Sequence, residues 1–168
     1  MLKIIGSIIL IFAGTMGGYA ASRKLSLRVE FYEKYLKFLS FLSTEIRYAA
    51  VPLPEIFEKY KNRFFVADIL EFCICEIHKG NTMGTSWKNA VENIRGRYGL
   101  KPEDIDVIKG LGENLGVSDI EGQLSNCKLN IDMANTYLES AREEKKRKSR
   151  LYLMLGLFIG IAITLLIS

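Results

Sequence analysis

Cys73, Cys75 and His78 come closest to a reactive cluster in this chain, with two of its three thiols and its single histidine close together. Metal or thiol chemistry would need them to converge. On a helix, residues two apart point to different sides, so Cys73 and Cys75 diverge and only Cys75 and His78 share a face. A structural zinc site takes four ligands, and the third thiol, Cys127, lies far along the chain. Three cysteines without a repeated spacing give no disulfide framework, and they are read as reduced, buried thiols. One histidine supports no Ser-His-Asp arrangement, which leaves Cys75 beside His78 as the one nucleophile–base pairing still open.

Gly110, Gly112 and Gly116 superficially resemble a phosphate-binding loop. Their spacing departs from the dinucleotide fingerprint, no strand precedes them, and no Walker lysine motif occurs. Gly116 reads as a helix stop and Gly112 as a point of close packing. The carboxylates read as solvated helix faces at salt-bridge spacing. Glu143 precedes Arg147 by four residues and Glu144 precedes Lys148 by four. No catalytic, cofactor-binding or metal-ligating residue is therefore assigned. A membrane-tethered enzyme built on unassigned carboxylates or on Cys75 with His78 stands as the alternative.

The elements that hold these residues follow from how charge is distributed. Hydrophobic residues make up 49% of the 168-residue chain and charged ones 25%, yet the two populations are segregated. Ile4 to Ala21 and Leu151 to Ser168 contain no charged residue. Eighteen helical residues span about 27 Å, just enough for a hydrocarbon core of about 30 Å. Both ends read as transmembrane helices, giving residues 1–21 as one span, 22–150 as a bundle and 151–168 as a second span. Arg23, Lys24 and Arg28 follow the first span, and Arg142, Lys145, Lys146, Arg147, Lys148 and Arg150 precede the second. The positive-inside rule then places residues 22–150 in the cytoplasm. A secretory signal peptide is the rival reading of the N-terminus, with Lys3 as its basic region and Gly18-Tyr19-Ala20 as a small-x-small cleavage site. Basic residues directly after the apolar run oppose it.

Gly14 and Gly18, and again Gly156 and Gly160, are small-xxx-small pairs that let helix backbones approach closely in lipid. They are candidate packing points between the two spans or, in a homo-oligomer, against copies of the same chain. The basic run before the second span also suits anionic membrane lipid, so a lipid-binding module is a further alternative. Nucleic acid is not expected as a partner: the net charge is only +4, the pI is near 8.9, and no aromatic residues interleave the basic run.

Between the spans, apolar residues recur at three and four, and no strand alternation is evident. The expectation is an all-α bundle of about six helices. Leu25, Val29, Tyr32, Leu36, Leu39 and Ile46 form one stripe, widened by Phe31, Tyr35, Phe38 and Leu42, on a helix running to Ala50. Val51-Pro52-Leu53-Pro54 ends it. Further helices are expected over Glu55 to Tyr60, over Phe64 to His78, from a cap at Thr85 or Ser86, and from Pro102 to near Gly116. Ser118 and Glu121 form a capping-box pattern for the last helix. Its stripe of Ile120, Leu124, Cys127, Ile131, Ala134, Leu138 and Ala141 leads on through the basic run into the second span. The first and last long helices, lying antiparallel, would bury matching stripes.

Three local patterns stand out within this layout. One is Glu45-Ile46-x-Tyr48 followed by Pro52-Leu53, and another is Trp87-x-x-Ala90. The third and most specific is Leu111-Gly112-Glu113-Asn114-Leu115-Gly116 with Asp119 and Gln123. With the span–bundle–span arrangement, they make the chain resemble, end to end, the stage III sporulation protein AB family of endospore-forming bacteria. The resemblance implies a subunit of the channel complex joining mother cell and forespore. Its cytoplasmic domain would be similar to that of the type II secretion inner-membrane platform protein. The implied site is the mother-cell membrane, and the implied partners are a secretion-type ATPase encoded alongside it and other channel subunits. It implies no cofactor and no catalysis. Gly112, Glu113, Leu115 and Gly116 match the family motif, with no role attached.

Overall fold

Apolar residues spaced at three and four along most of the chain dictate helices, and the computed structural model shows them. It describes residues 2–48, 51–61 and 67–167. Among these there are six α-helices, one 3-10 turn and no strand. They are α1 (Leu2–Tyr48), α2 (Leu53–Tyr60), α3 (Ala67–His78), α4 (Met83–Asn93), α5 (Pro102–Gly110), the 3-10 turn Leu111–Glu113, and α6 (Ile120–Ile167). Ala50 and Phe64, expected as helix limits, lie outside the described residues. Internal contacts divide the chain into two units, Met1–Val29 with Ser140–Ser168, and Glu30–Glu139.

The unit of residues 30–139 is organised around aromatic side chains. Trp87 is fully buried, its ring parallel to Phe38 at 5.9 Å and inclined to Phe57 at 6.0 Å. Its indole Nε1 donates to the carbonyl of Ile108 at 2.8 Å, which satisfies the one polar atom that burial would otherwise penalise. Tyr32, Tyr35, Phe31, Leu39 and Leu42 from the expected α1 stripe are all buried here. Tyr32 donates to Asp104 Oδ1 at 2.7 Å, and the Lys101 backbone N–H donates to Asp104 Oδ2 at 2.7 Å. Asp104 is therefore a buried carboxylate serving the N-terminus of α5, not part of a solvated face. Glu76 is a second exception, buried and bonded to Lys79, Asn81 and Asn89.

Several helix limits differ from the sequence expectation for local reasons. Helix α2 begins at Leu53, two residues before Glu55, because Pro54 falls in the first turn, where its missing N–H costs nothing. Thr82, rather than Thr85 or Ser86, caps α4; its extended backbone lets the hydroxyl accept from Thr85 N at 3.3 Å. Helix α5 stops at Gly110 and not near Gly116, because the 3-10 turn intervenes. Asp119 displaces Ser118 as the α6 cap, accepting from Gly122 N at 2.9 Å. The Ser118 hydroxyl instead accepts from Gln123 Nε2 at 3.1 Å.

The second unit pairs the start of α1 with the end of α6. Its contacts run in opposite order along the two helices: Gly14 with Gly156 and Gly160, Gly18 with Tyr152 and Gly156, Ser22 with Ser149, and Arg28 with Glu144. The pair is antiparallel. Helix α6 continues unbroken through the basic run, as its stripe suggested. Among the described residues its Ile120–Leu165 portion is the one helix long and apolar enough to cross a membrane.

Candidate functional site

The three sequence patterns meet within residues 30–139. A Cβ placed on Gly112 would sit 2.8 Å from Trp87 Cδ1 and 3.0 Å from the Gly84 carbonyl oxygen, while one on Gly84 would strike the Gly112 carbonyl oxygen. The start of α4 and the turn after α5 therefore touch backbone to backbone, as expected of Gly112; Gly84 was not singled out by sequence. Ala90, one turn on from Trp87, is fully buried. Gly116 adopts φ +78, a left-handed value that ordinary side chains resist, and a Cβ there would lie 3.3 Å from Met83 Cβ and 3.8 Å from Leu53 Cδ1. Leu53 belongs to the first pattern, Trp87 to the second and Gly116 to the third.

Beside this contact lies a surface hollow of about 410 Å³, bounded by Met83, Gly84 and Lys88 of α4 and by Gly112, Glu113, Gly116 and Val117 opposite. Leu115 lines it and is almost wholly buried, anchoring the turn from below. The motif residues Gly112, Glu113, Leu115 and Gly116 thus all line one concavity.

Helix α6 holds the turn from the other side. Gln123 Nε2 donates to the Asn114 carbonyl at 2.8 Å and Asn126 Nδ2 to the Leu111 carbonyl at 2.9 Å. Asn130 Nδ2 donates to the Asn126 backbone carbonyl at 2.9 Å. All three amides are buried. The Leu111 and Asn114 carbonyls lie at the 3-10 turn, outside the regular helices, and need donors from elsewhere. Sequence reading missed Asn126 and Asn130. The available signal was amides at helical spacing beside Cys127 and Ala134, where an apolar stripe alone gives no reason for them.

Glu113 differs from its neighbours. It is 67% exposed, and its contact with Lys88 Nζ is at 4.0 Å, the outer limit for an ion pair.

The thiols lie apart from this hollow. Cys73 and Cys127 are buried, but Cys75 is exposed, contrary to the expectation of three buried thiols. The cause is the one that separates it from Cys73: two residues along α3 is more than half a turn. Burial pushes the Cys73 thiol up to about 12, with Glu76 adding to the shift, and the Cys127 thiol up to about 11. Neither is a nucleophile at neutral pH. Glu76 is held below the usual carboxylate range, chiefly by the Lys79 hydrogen bond and then by Asn89. Among the described residues, no group of three or more His, Cys, Asp or Glu side chains could hold a metal.

In the helical pair, the candidate glycines Gly14, Gly18, Gly156 and Gly160 lie together. A Cβ on Gly14 would come within 2.5 Å of the Gly156 carbonyl oxygen, and one on Gly156 within 2.5 Å of that of Gly14. Ser22 and Ser149 share a hydrogen bond of 2.5 Å. The Arg28–Glu144 ion pair, at 3.1 Å, is largely buried, and Lys148 also reaches Glu144 at 2.6 Å.

Among the described residues the chain is all-helical, with one helix long and apolar enough to cross a membrane and a bundle that carries a surface hollow. The chain belongs to the stage III sporulation protein AB family, whose profile matches residues 3–168. It is similar to the stage III sporulation protein AB of Bacillus subtilis (strain 168), with 22% identity over 170 residues covering 99% of each chain. Membership carries a role in sporulation, and the family name is not that of an enzyme. No solved structure matches the chain.

Proposed function

We propose that this protein is a structural platform subunit of the mother cell–forespore channel complex. In this reading, residues 4–21 and 151–168 both span the mother-cell membrane, and residues 22–150 face the cytoplasm and dock a secretion-type ATPase. The observation that carries it is the outward surface of the helical pair. Phe12, Met16, Tyr19, Met154, Phe158 and Leu165 are all more than half or about half exposed while the glycines face inward. A water-facing helix pair would turn these side chains inward instead; lipid tolerates them outside. The basic collars beside both spans fit an inner leaflet rich in anionic lipid.

The platform acts by binding. Its bundle offers a rigid aromatic core, a shaped surface and a continuous helix, α6, leading from the motif turn into the second span. The test is fractionation and co-purification of the full chain at native expression in sporulating cells. It should sediment with membranes, resist carbonate extraction and recover the ATPase with other channel subunits. Recovery of a solitary chain, or its appearance in the supernatant without detergent, overturns the reading.

A further inference from the structure

We infer that the hollow beside Glu113 is a docking seat for a partner-protein segment that presents an arginine or lysine next to an apolar side chain. For the identity of that partner, the inference rests on the platform reading above.

The argument begins with what the motif residues already do. Leu111 and Leu115 fill the core. Gly112 permits backbone contact with Gly84, and Gly116 takes a left-handed turn. Asn114 gives its carbonyl to Gln123, and Asp119 caps α6. Each of these has an architectural task. Glu113 has none: its carboxylate stands 67% exposed at the rim, with only the 4.0 Å contact to Lys88. A carboxylate held on a rigid, doubly anchored turn, and not used by the fold, is suited to recognition.

Charge and apolarity then specify the occupant. From Gly110 to Cys127 the chain carries Glu113, Asp119 and Glu121 and no lysine or arginine, and all three carboxylates are exposed. This side of the hollow attracts a cation, which would take Glu113 away from its long contact with Lys88. Val117 directly follows the left-handed glycine and is 82% exposed; Ile120 is 55% exposed. An apolar neighbour of the incoming cation would cover them. The floor is backbone at Gly84 and Gly112, so the hollow can admit a side chain together with its flanking main chain. A lipid headgroup fits poorly, because its phosphate would meet the Glu113 carboxylate that lines the hollow.

The experiment uses the full chain in nanodiscs and the purified ATPase, together with a photo-crosslinking amino acid at Val117 in sporulating cells. Glu113→Arg should weaken ATPase binding at least tenfold, while Glu71→Arg, an exposed α3 carboxylate outside the hollow, leaves it unchanged. Unaltered helical content and melting temperature in both variants exclude misfolding. The Val117 crosslink should fall on a partner peptide containing lysine or arginine and disappear with Glu113→Arg. If the parent binds the ATPase and Glu113→Arg binds equally well, the seat is wrong and the platform reading stands. If the parent does not bind the ATPase but Val117 gives a Glu113-dependent crosslink to a basic peptide of another protein, the seat stands and the ATPase assignment falls. A crosslink to lipid, or none at Val117, overturns the seat.

Discussion

The two units of this chain are held together by opposite means. In residues 30–139, large side chains meet: Trp87 stacks on Phe38, both meet Phe57 at an angle, and the apolar surface they bury leaves water. In residues 1–29 with 140–168, the helices touch backbone to backbone at Gly14, Gly18, Gly156 and Gly160, while Phe12, Met16, Met154 and Phe158 are exposed. The first arrangement needs water as its surroundings, since burial is its driving force. The second gains from close backbone approach, which matters most where the surroundings are as apolar as the side chains. Polar groups follow the same division. The bundle satisfies Asp104 and the motif carbonyls through networks from several elements. The helix pair uses direct bonds between two helices, Ser22 to Ser149 and Arg28 to Glu144.

The sharpest way to break this contrast is to remove the aromatic centre. Trp87→Ala should destabilise the bundle by about 3–5 kcal/mol, through the cavity and through the loss of the donor to the Ile108 carbonyl. The readout is the denaturation midpoint of the full chain in detergent; a midpoint equal to the parent's would refute the aromatic-core account. The helix pair should be insensitive to that change and sensitive to its own glycines. Gly156→Leu should abolish disulfide formation in a Ser22→Cys, Ser149→Cys variant lacking the native cysteines. Gly17→Leu should leave it intact, because nothing lies within 4 Å of a Cβ at Gly17. Equal crosslinking in both would mean that the glycine contact is not what aligns the helices.

A smaller effect is expected where the bundle borrows the glycine strategy. Gly112→Ala should cost about 1–3 kcal/mol, because Trp87 and the Gly84 backbone must both give way. A loss below the measurement error would show that the turn relaxes freely. The smallest effects concern the thiols. Cys75 should react with a maleimide in the folded protein at pH 7, and Cys73 and Cys127 only on unfolding. Because the folded thiols at Cys73 and Cys127 hold their protons up to about 12 and about 11, the unfolded chain loses them first. Their contribution to stability is complete below the ordinary thiol value, about 8.5, and declines as pH rises above it. A melting temperature that rises between pH 9 and 10.5 would contradict this, as would rapid labelling of Cys73 in the native state.

Much of this division was legible without coordinates. Runs free of charge, glycines four apart and apolar stripes at helical spacing are local patterns, and each translates directly into a helix. The stripe from Val29 to Ile46 and the unbroken course of α6 required only periodicity. Capping was harder, because Thr82, Thr85 and Ser86 are all competent caps, as are Ser118 and Asp119. The choice depends on which backbone is extended, which the rest of the fold determines. Buried polar residues were harder still: Asp104, Glu76, Asn126 and Asn130 look like surface residues until the partner that each one serves has a position.

By itself, the sequence determined the helical class, the order of helices, the two charge-free ends and the residues through which the family resemblance runs, since all of these are properties of neighbours along the chain. Only the tertiary structure decided that Leu53 approaches Gly116 and Trp87 approaches Gly112, that Gly84 pairs with Gly112, and that Glu113 is left facing solvent at the rim of a hollow. These depend on which distant backbones come close enough to exclude a side chain, a distance that no local spacing encodes.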